Sequence, residues 1–256
     1  MTGPPVIEAG TDATGAPVRI AFSTREGGHS AGAFASLNLG ATTGDDPGAV
    51  RANRQSLARS LGVDAARAAS MTQVHGARVV EIGAHGGEER FAGTLDGVAE
   101  CDALVTRVPG VALVAMGADC PVIGLWDERG QVVAAVHAGW RGIVAGVIPA
   151  AVAAMGADPT TVTAAVGPHV GPCCYPVDDD LRSTMAARHG PDVAVGDAVD
   201  LGLACRRALE GAGVPRGRIK VDASCTACDA QRFFSYRRDG GATGRQGAVV
   251  WIEDRA

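Results

Sequence analysis

Lysine is almost missing from this chain: Lys220 is the only one, and every other basic residue is an arginine. A phosphate loop of the G-x-x-x-x-G-K-[ST] type is therefore excluded. No good candidate for a Schiff-base lysine remains either. A basic excess is also missing, with Lys+Arg 23 against Asp+Glu 28 and a net charge of −5. That balance speaks against a general nucleic-acid binder. It leaves anionic small molecules to local arginines. No stretch approaches the ~18 apolar residues of a membrane span. The opening "MTGPPVIEAGTDATGAP" has neither the basic start nor the apolar run of a signal peptide. Seven cysteines, an odd number, then fit free thiols in a reducing cytoplasm.

What is present is enough for a full core. The 256 residues are 46% hydrophobic, and a domain of that size buries roughly three quarters of its extended surface. Residues 1–16, rich in Gly, Pro, Thr and Ala, are expected to form a flexible N-terminal segment, with one domain over 17–256. Strands are expected at 18–24, 77–82, 102–106, 111–119, 121–127, 131–138, 161–168, 218–226 and 248–254. Helices are expected at 45–62, 142–156 (kinked at Pro149), 178–190 and 200–213. Residues 25–40 and 85–101 have the composition of loops. Short turns between the apolar runs of 102–138 favour antiparallel or mixed neighbours. The fold class is α/β (α+β), a single domain. Its strands outnumber the helices able to cover both faces of one sheet, so two packed sheets with helices outside are expected.

Two of the six histidines and one cysteine draw attention. His75 lies in "MTQVHGARV", just before a strand, and His137 in "VHAGWRG", at a strand end. Cys120 lies in "GADCPVIG", where Pro121 interrupts two apolar runs, and such a break suits a functional side chain. His75, Cys120 and His137 make a His₂Cys set whose donors suit zinc and leave a fourth position open. Separations of 45 and 17 residues are too long for a local knuckle, so the fold would have to assemble the site. A core cysteine with two satisfied histidines explains the same residues. So does a Cys120 nucleophile with His137 as its base. Arg25, Arg54 and Arg141 are the anion candidates. Arg54 also suits a solvated helix face, whereas Arg141 at a helix start runs against the dipole preference. "GPHVGPCCYPV" (167–177) holds a vicinal cysteine pair, Cys173 and Cys174, of the kind usually structural in a reduced cell. "SCTACD" (224–229) is a lone C-x-x-C, Cys225 and Cys228, weak evidence for metal by itself. "FFSYRRDGGATGR" (233–245) could stack a base or cap the core with Phe233, Phe234 and Tyr236.

"FSTREGGHSAGAFASLNLG", "TQVHG", "ADCPVIGLWD", "VHAGWRG", "GPHVGPCCYPV", "SCT" and "FFSYRRDGGATGR" stand in the order seen in one family. Together they resemble the multicopper polyphenol oxidase, or laccase-domain, family. That family is regarded as purine nucleoside phosphorylases, and its bacterial members are also called peptidoglycan editing factors. The likeness spans residues 18 to 254. It implies stacked α/β/β/α layers and zinc on His75, Cys120 and His137. It implies phosphorolysis of adenosine, inosine and S-methyl-5′-thioadenosine, with adenosine deaminase activity beside it. Inorganic phosphate and purine nucleosides are then the partners, with no nucleic acid and no membrane. Arg54, in "ANR", looks like a family active-site arginine. Pro176 departs from the pattern, standing where the family usually shows an acid, and Cys228 looks particular to this chain. Copper could occupy the His₂Cys set. True laccase chemistry is not expected, because its centres need H-x-H pairs and here no two histidines stand two apart.

Two other functional classes fit the same residues. One is a cysteine hydrolase editing a peptidoglycan precursor, with Cys120 as nucleophile. The other is a binding protein without turnover, against which stand the polar residues at strand ends.

Overall fold

The computed structural model describes residues 6–8, 17–84 and 90–254. In chain order the strands are β1 (Val6–Glu8), β2 (Val18–Ser23), β3 (Ala68–Ser70), β4 (Val79–Ile82), β5 (Ala103–Thr106), β6 (Ala112–Gly117), β7 (Val122–Asp127), β8 (Val133–His137), β9 (Val162–Val166), β10 (Ala194–Val195), β11 (Ala198–Val199), β12 (Ile219–Val221) and β13 (Gln246–Ile252). The helices are α1 (Pro47–Leu61), α2 (Trp140–Ala145), α3 (Val147–Met155), α4 (Asp179–His189), α5 (Leu201–Gly211) and a single turn, α6 (Tyr236–Asp239).

Two mixed sheets carry the molecule, ordered β1-β2-β13-β6-β3 and β12-β9-β7-β8-β5-β4. Side chains alternate between faces along each strand, and the alternation divides the core. Leu113 and Ala115 of β6, Val122 and Trp126 of β7, and Val133 and Ala135 of β8 fill the layer between the sheets. Ala112, Val114 and Met116 point the other way, toward Leu57 of α1 and Phe91. Ile123, Leu125, Ala134 and Val136 face α2, α3 and α5. The result is the α/β/β/α stack. Gly124 lets the two sheets approach: a Cβ there would lie 3.0 Å from Ile20 Cδ1 and 3.1 Å from Val250 Cγ2.

Helix ends follow local chemistry. Asp46 caps α1 by accepting from the Ala49 N–H at 2.8 Å, Pro47 opens the first turn, and Gly62 closes it at φ 69°. Asp178 and Asp200 cap α4 and α5 in the same way.

Four expectations change. The kink expected at Pro149 is a full break at Gly146, which adopts φ 88° and ends α2 before α3 begins. Pro149 lies in the first turn of α3, where the N–H it lacks would have no helical partner. The closely spaced strands β5, β6 and β7 are not neighbours, because β6 belongs to one sheet and its flanking strands to the other. The short connections at 107–111 and 118–121 therefore cross between sheets. Only the β7–β8 connection makes an antiparallel neighbour pair. Within 85–101, expected as a polar loop, Arg90–Thr94 coils into a wide helical turn that buries Phe91 and Ala92; 85–89 lie outside the described residues. Finally, Val6–Glu8 pairs antiparallel with β2, so the flexible segment expected over 1–16 does not include these three residues; the rest of that segment lies outside the described residues.

Among the described residues no helix is long and apolar enough to cross a membrane. Gly124→Val should push the two sheets apart and lower unfolding free energy by about 1–3 kcal/mol, measured by urea denaturation.

Candidate metal centre

Strand register brings the distant residues together. β7 and β8 pair with Val122 opposite His137, and the Ala138 N–H donates to the Pro121 carbonyl at 2.8 Å. Cys120, one residue before, is thus held at the His137 end of β8. β5 flanks β8 on its other side with Ala103 opposite Val136, so Asp102 also arrives there, its carbonyl accepting from the His137 N–H at 2.8 Å. His75 comes from the loop between β3 and β4. The donor atoms of His75, Cys120 and His137 lie within 4.8 Å of one another. The two imidazoles meet edge to face, with centroids 4.8 Å apart and planes at 74°.

Asp102 organises this group. Its carboxylate is fully buried and accepts from the backbone N–H groups of Val74 (3.2 Å), His75 (2.9 Å) and Gly76 (2.7 Å). It also meets His137 Nδ1 at 2.8 Å. Three N–H donors on one carboxylate hold the tight loop in which His75 adopts φ 58°, a left-handed conformation uncommon for a side-chain-bearing residue. Burial works against the charged carboxylate, but the bonds from His137 and Gly76 outweigh it and leave the Asp102 pKa below its ordinary value. For His137, burial opposes protonation, yet the bonds to Asp102 and Cys120 prevail and push it up to about 9. The His75 pKa is held low by burial first and by the neighbouring His137 second.

Gly139 is the floor. A Cβ there would stand 2.5 Å from His75 Nδ1 and 3.1 Å from Cys120 Sγ, so no other residue leaves this space intact. Asp119, at φ 90°, accepts from Thr226 Oγ1 and from the Arg237 N–H, both at 2.6 Å. Those bonds turn the 118–121 crossing so that Cys120 faces the histidines.

The donor set fits a metal. Imidazole nitrogen and thiolate sulfur are zinc's preferred ligands, and three protein donors with an open side are the catalytic pattern. Exposure falls from His75, exposed, through Cys120 to His137, buried, so the set opens to solvent at His75. The Asp102–His137 bond is the carboxylate–imidazole support usual behind a ligating histidine; with Nδ1 so engaged, Nε2 is left to face a metal. The other described histidines are employed elsewhere or lie outside the group: His169 Nδ1 is bonded to the Gly167 carbonyl, and His29 to Ser56.

The arginines divide. Arg141 is exposed at the start of α2, its guanidinium 4.4 Å over the Trp140 ring, and its charge bears on His75 and Tyr175. Arg54 is not brought to the trio. Buried in α1, it donates to the Leu39 carbonyl at 2.8 Å and the Phe91 carbonyl at 2.7 Å, and lies 4.9 Å over the Phe91 ring. There it clamps the loops that carry Leu39 and Phe91, buried rather than on a solvated helix face. Arg25 likewise pins its loop through the Ala35 carbonyl at 2.8 Å and the Phe234 ring. Phe233 and Phe234 are fully buried, so they cap the core rather than stack a base.

Sequence reasoning missed Asp102, Tyr175, Arg237 and Arg245. Asp102 heads a strand, Ala103–Thr106, that is buried throughout. Tyr175 sits beside the group, its pKa raised to about 12 by burial and by Cys120 against the pull of Arg237 and Arg141. Arg237 lies 5.0 Å over the Tyr175 ring. Arg245 is tied to the Thr243 and Gly244 carbonyls, and its charge reaches Cys120 and His75.

Known proteins share this frame. The model of the multi-copper polyphenol oxidoreductase laccase family matches residues 19–253. A Streptomyces coelicolor protein named purine nucleoside phosphorylase is 43% identical over 240 residues, covering 91% of this chain and 94% of its own. The crystal structure of YlmD from Geobacillus stearothermophilus superposes with a TM-score of 0.89 at 32% identity, over 98% of this chain and 100% of that one. A Neisseria meningitidis protein, NMB0706, superposes with a TM-score of 0.84 at 34% identity, over 97% of this chain and 99% of its own. On these matches the chain belongs to the multi-copper polyphenol oxidoreductase laccase family, whose relatives here carry the name purine nucleoside phosphorylase.

Proposed function

We propose that the protein is a zinc-dependent purine nucleoside phosphorylase acting on adenosine, inosine and S-methyl-5′-thioadenosine, with adenosine deaminase activity at the same site. The observation that carries this reading is the open His75–Cys120–His137 donor set bordered by Arg141 and Arg245, whose charges both bear on His75. An enzyme that cleaves a nucleoside with phosphate needs cations for the phosphate beside a group that acts on the sugar or base. The names of the relatives supply the reaction class.

In phosphorolysis, a phosphate oxygen bonds to C1′ of the ribose as the C1′–N9 bond breaks. The purine leaves with the bonding pair and takes up a proton. The transition state spreads positive charge over the sugar ring while the phosphate approaches. Arg141 presents a planar fork suited to phosphate oxygens. Arg245, fixed by its two carbonyl bonds, adds a pre-aimed charge. The Tyr175 hydroxyl, with its raised pKa, stays protonated at neutral pH and can donate to an oxygen of either substrate. His75, Cys120 and His137 would hold the metal, and Asp102 keeps His137 oriented for it. When bound, zinc supplies a Lewis acid toward an oxygen near the reacting centre; copper fits the same donors. Water entering at the His75 side replaces the 6-amino group of adenosine in deamination, releasing ammonia.

A second reading has one observation in its favour. Asp102, His137 and Cys120 form a chain in which a carboxylate orients an imidazole against a thiol, the order of a cysteine hydrolase. Such an enzyme would act on a peptidoglycan precursor. Complete metal removal separates the two: loss of turnover supports the phosphorylase, and retained turnover with an acyl adduct on Cys120 supports the hydrolase.

Four outcomes test the main reading. Metal-loaded protein should convert inosine and phosphate to hypoxanthine and ribose 1-phosphate. His75→Ala should lower that rate on the order of 100-fold or more, the equivalent of a few kcal/mol of lost charge stabilisation; an unchanged rate would exclude the metal role. Asp102→Asn leaves one buried N–H or the His137 ring without its acceptor, and metal affinity by competition with a chelator should fall about 10–100-fold. Arg141→Ala should raise KM for phosphate roughly 10- to 100-fold, the worth of a charge-assisted hydrogen bond, with little change in KM for inosine.

A further inference from the structure

Four of the remaining cysteines form a group of their own. Cys173 and Cys174 lie on the turn that follows β9, and Cys225 and Cys228 on the loop that follows β12. β9 and β12 are parallel neighbours, with Val166 opposite Val221, so both loops leave the same end of the same sheet. They are then tied together: the His169 carbonyl accepts from the Thr226 N–H at 3.0 Å, and the Cys225 Sγ accepts from the Gly171 N–H at 3.2 Å. The four sulfurs all lie within 4.8 Å of one another. Cys228 Sγ is 3.4 Å from Cys174 Sγ and 3.6 Å from Cys173 Sγ.

These distances belong to shared coordination rather than to bonding or to chance. Four thiolates at about 2.3 Å around one tetrahedral zinc stand roughly 3.8 Å apart. A disulfide would need about 2.05 Å, and all four cysteines are free. Free cysteine is ordinarily among the most buried residues, yet Cys173 and Cys228 are exposed. Packing therefore does not explain them. No histidine or carboxylate interrupts the set, and an all-sulfur shell is the pattern of a closed structural site.

We propose that Cys173, Cys174, Cys225 and Cys228 hold a zinc(II) ion as a four-thiolate structural site, separate from the His75–Cys120–His137 group. Zinc is chosen over other soft metals because it needs no redox partner and takes the tetrahedral shell that four thiolates offer. Each thiol gives up its proton to solvent as its sulfur donates a lone pair, with no change in oxidation state. The ion would brace the turn that ends on Tyr175, the residue after Cys174, and so fix one wall of the neighbouring centre. This inference stands without the proposed activity.

The test is metal content and ligand type in the full-length protein, purified with its thiols reduced and equilibrated with zinc(II). The expected result is two zinc ions per chain in the wild type, one in the Cys174→Ser/Cys228→Ser variant and one in the His75→Ala/His137→Ala variant. With cobalt(II) in place of zinc, the sulfur-to-cobalt charge-transfer band should fall to the one-thiolate intensity of the Cys120 centre in the serine variant and keep its four-thiolate intensity in the histidine-to-alanine variant. A single zinc lost only in the serine variant would keep this inference and count against the metal at the other centre. A zinc count unchanged by the serine substitutions would overturn it. So would a Cys174–Cys228 disulfide in the freshly reduced and re-equilibrated wild type that holds no metal. Should the serine variant fail to fold by circular dichroism, X-ray absorption on the His75→Ala/His137→Ala variant decides: zinc with an all-sulfur shell supports the site, and a shell containing nitrogen, or no zinc, overturns it.

Discussion

The buried carboxylate of Asp102 is the interaction on which the centre depends. It gathers three backbone N–H groups of the 74–76 loop and the Nδ1 of His137. A carboxylate without solvent is costly unless its lone pairs are met, and here the loop and the ring meet them. The exchange works in both directions. The loop supplies the hydrogen bonds that keep Asp102 charged, and Asp102 holds His75 in a backbone conformation it would otherwise rarely adopt. One side chain thereby sets the position of one histidine through its main chain and the orientation of the other through its ring.

That arrangement is possible because the two sheets are interleaved in sequence. β6 lies in one sheet and β7 in the other, and the four residues between them carry Asp119 and Cys120. Pro121 has no N–H to continue a ladder, so the chain is free to change layers there. The same proline offers its carbonyl to Ala138 and keeps the crossing against the end of β8. Gly139 then leaves room for His75 and Cys120 where any side chain would collide with both. The centre is built from chain crossings and small residues rather than from a preformed loop motif.

Much of the frame is legible from residues alone. Apolar runs over 111–117 and 122–127 mark β6 and β7, and Asp46-Pro47 with Gly62 brackets α1. The fate of the short turns is not legible. A turn of four residues closes a hairpin or changes sheets with equal ease, and only the packing of β13 between β2 and β6 decides it. His75, Cys120 and His137 stand out by their surroundings, but their convergence depends on the register of β5, β7 and β8, which no local pattern encodes. Asp102 is hidden for the same reason, since an acid beside an apolar run reads equally as a solvated strand end. Arg54 is illegible for a related reason: mid-helix among polar neighbours it fits a solvated face, whereas three-dimensional packing buries it against carbonyls. The C-x-x-C of 225–228 lacks a sequence partner, and the group beside it is the earlier vicinal pair Cys173–Cys174, delivered by parallel pairing of β9 and β12.

The 118–121 crossing has a consequence for how the molecule matures. Cys120 lies on the crossing from one layer to the other, His137 ends the interior strand β8 of the second, and His75 enters from the connection joining β3 of the first to β4 of the second. A half-assembled chain, with either layer absent, cannot present the three donors together. Because affinity for a metal exists only where the ligands are gathered, occupancy of this centre by the proposed metal would inspect the finished fold. Chains with misaligned layers would remain empty and, by mass action, lack the extra stability that a bound ion confers on the native state alone.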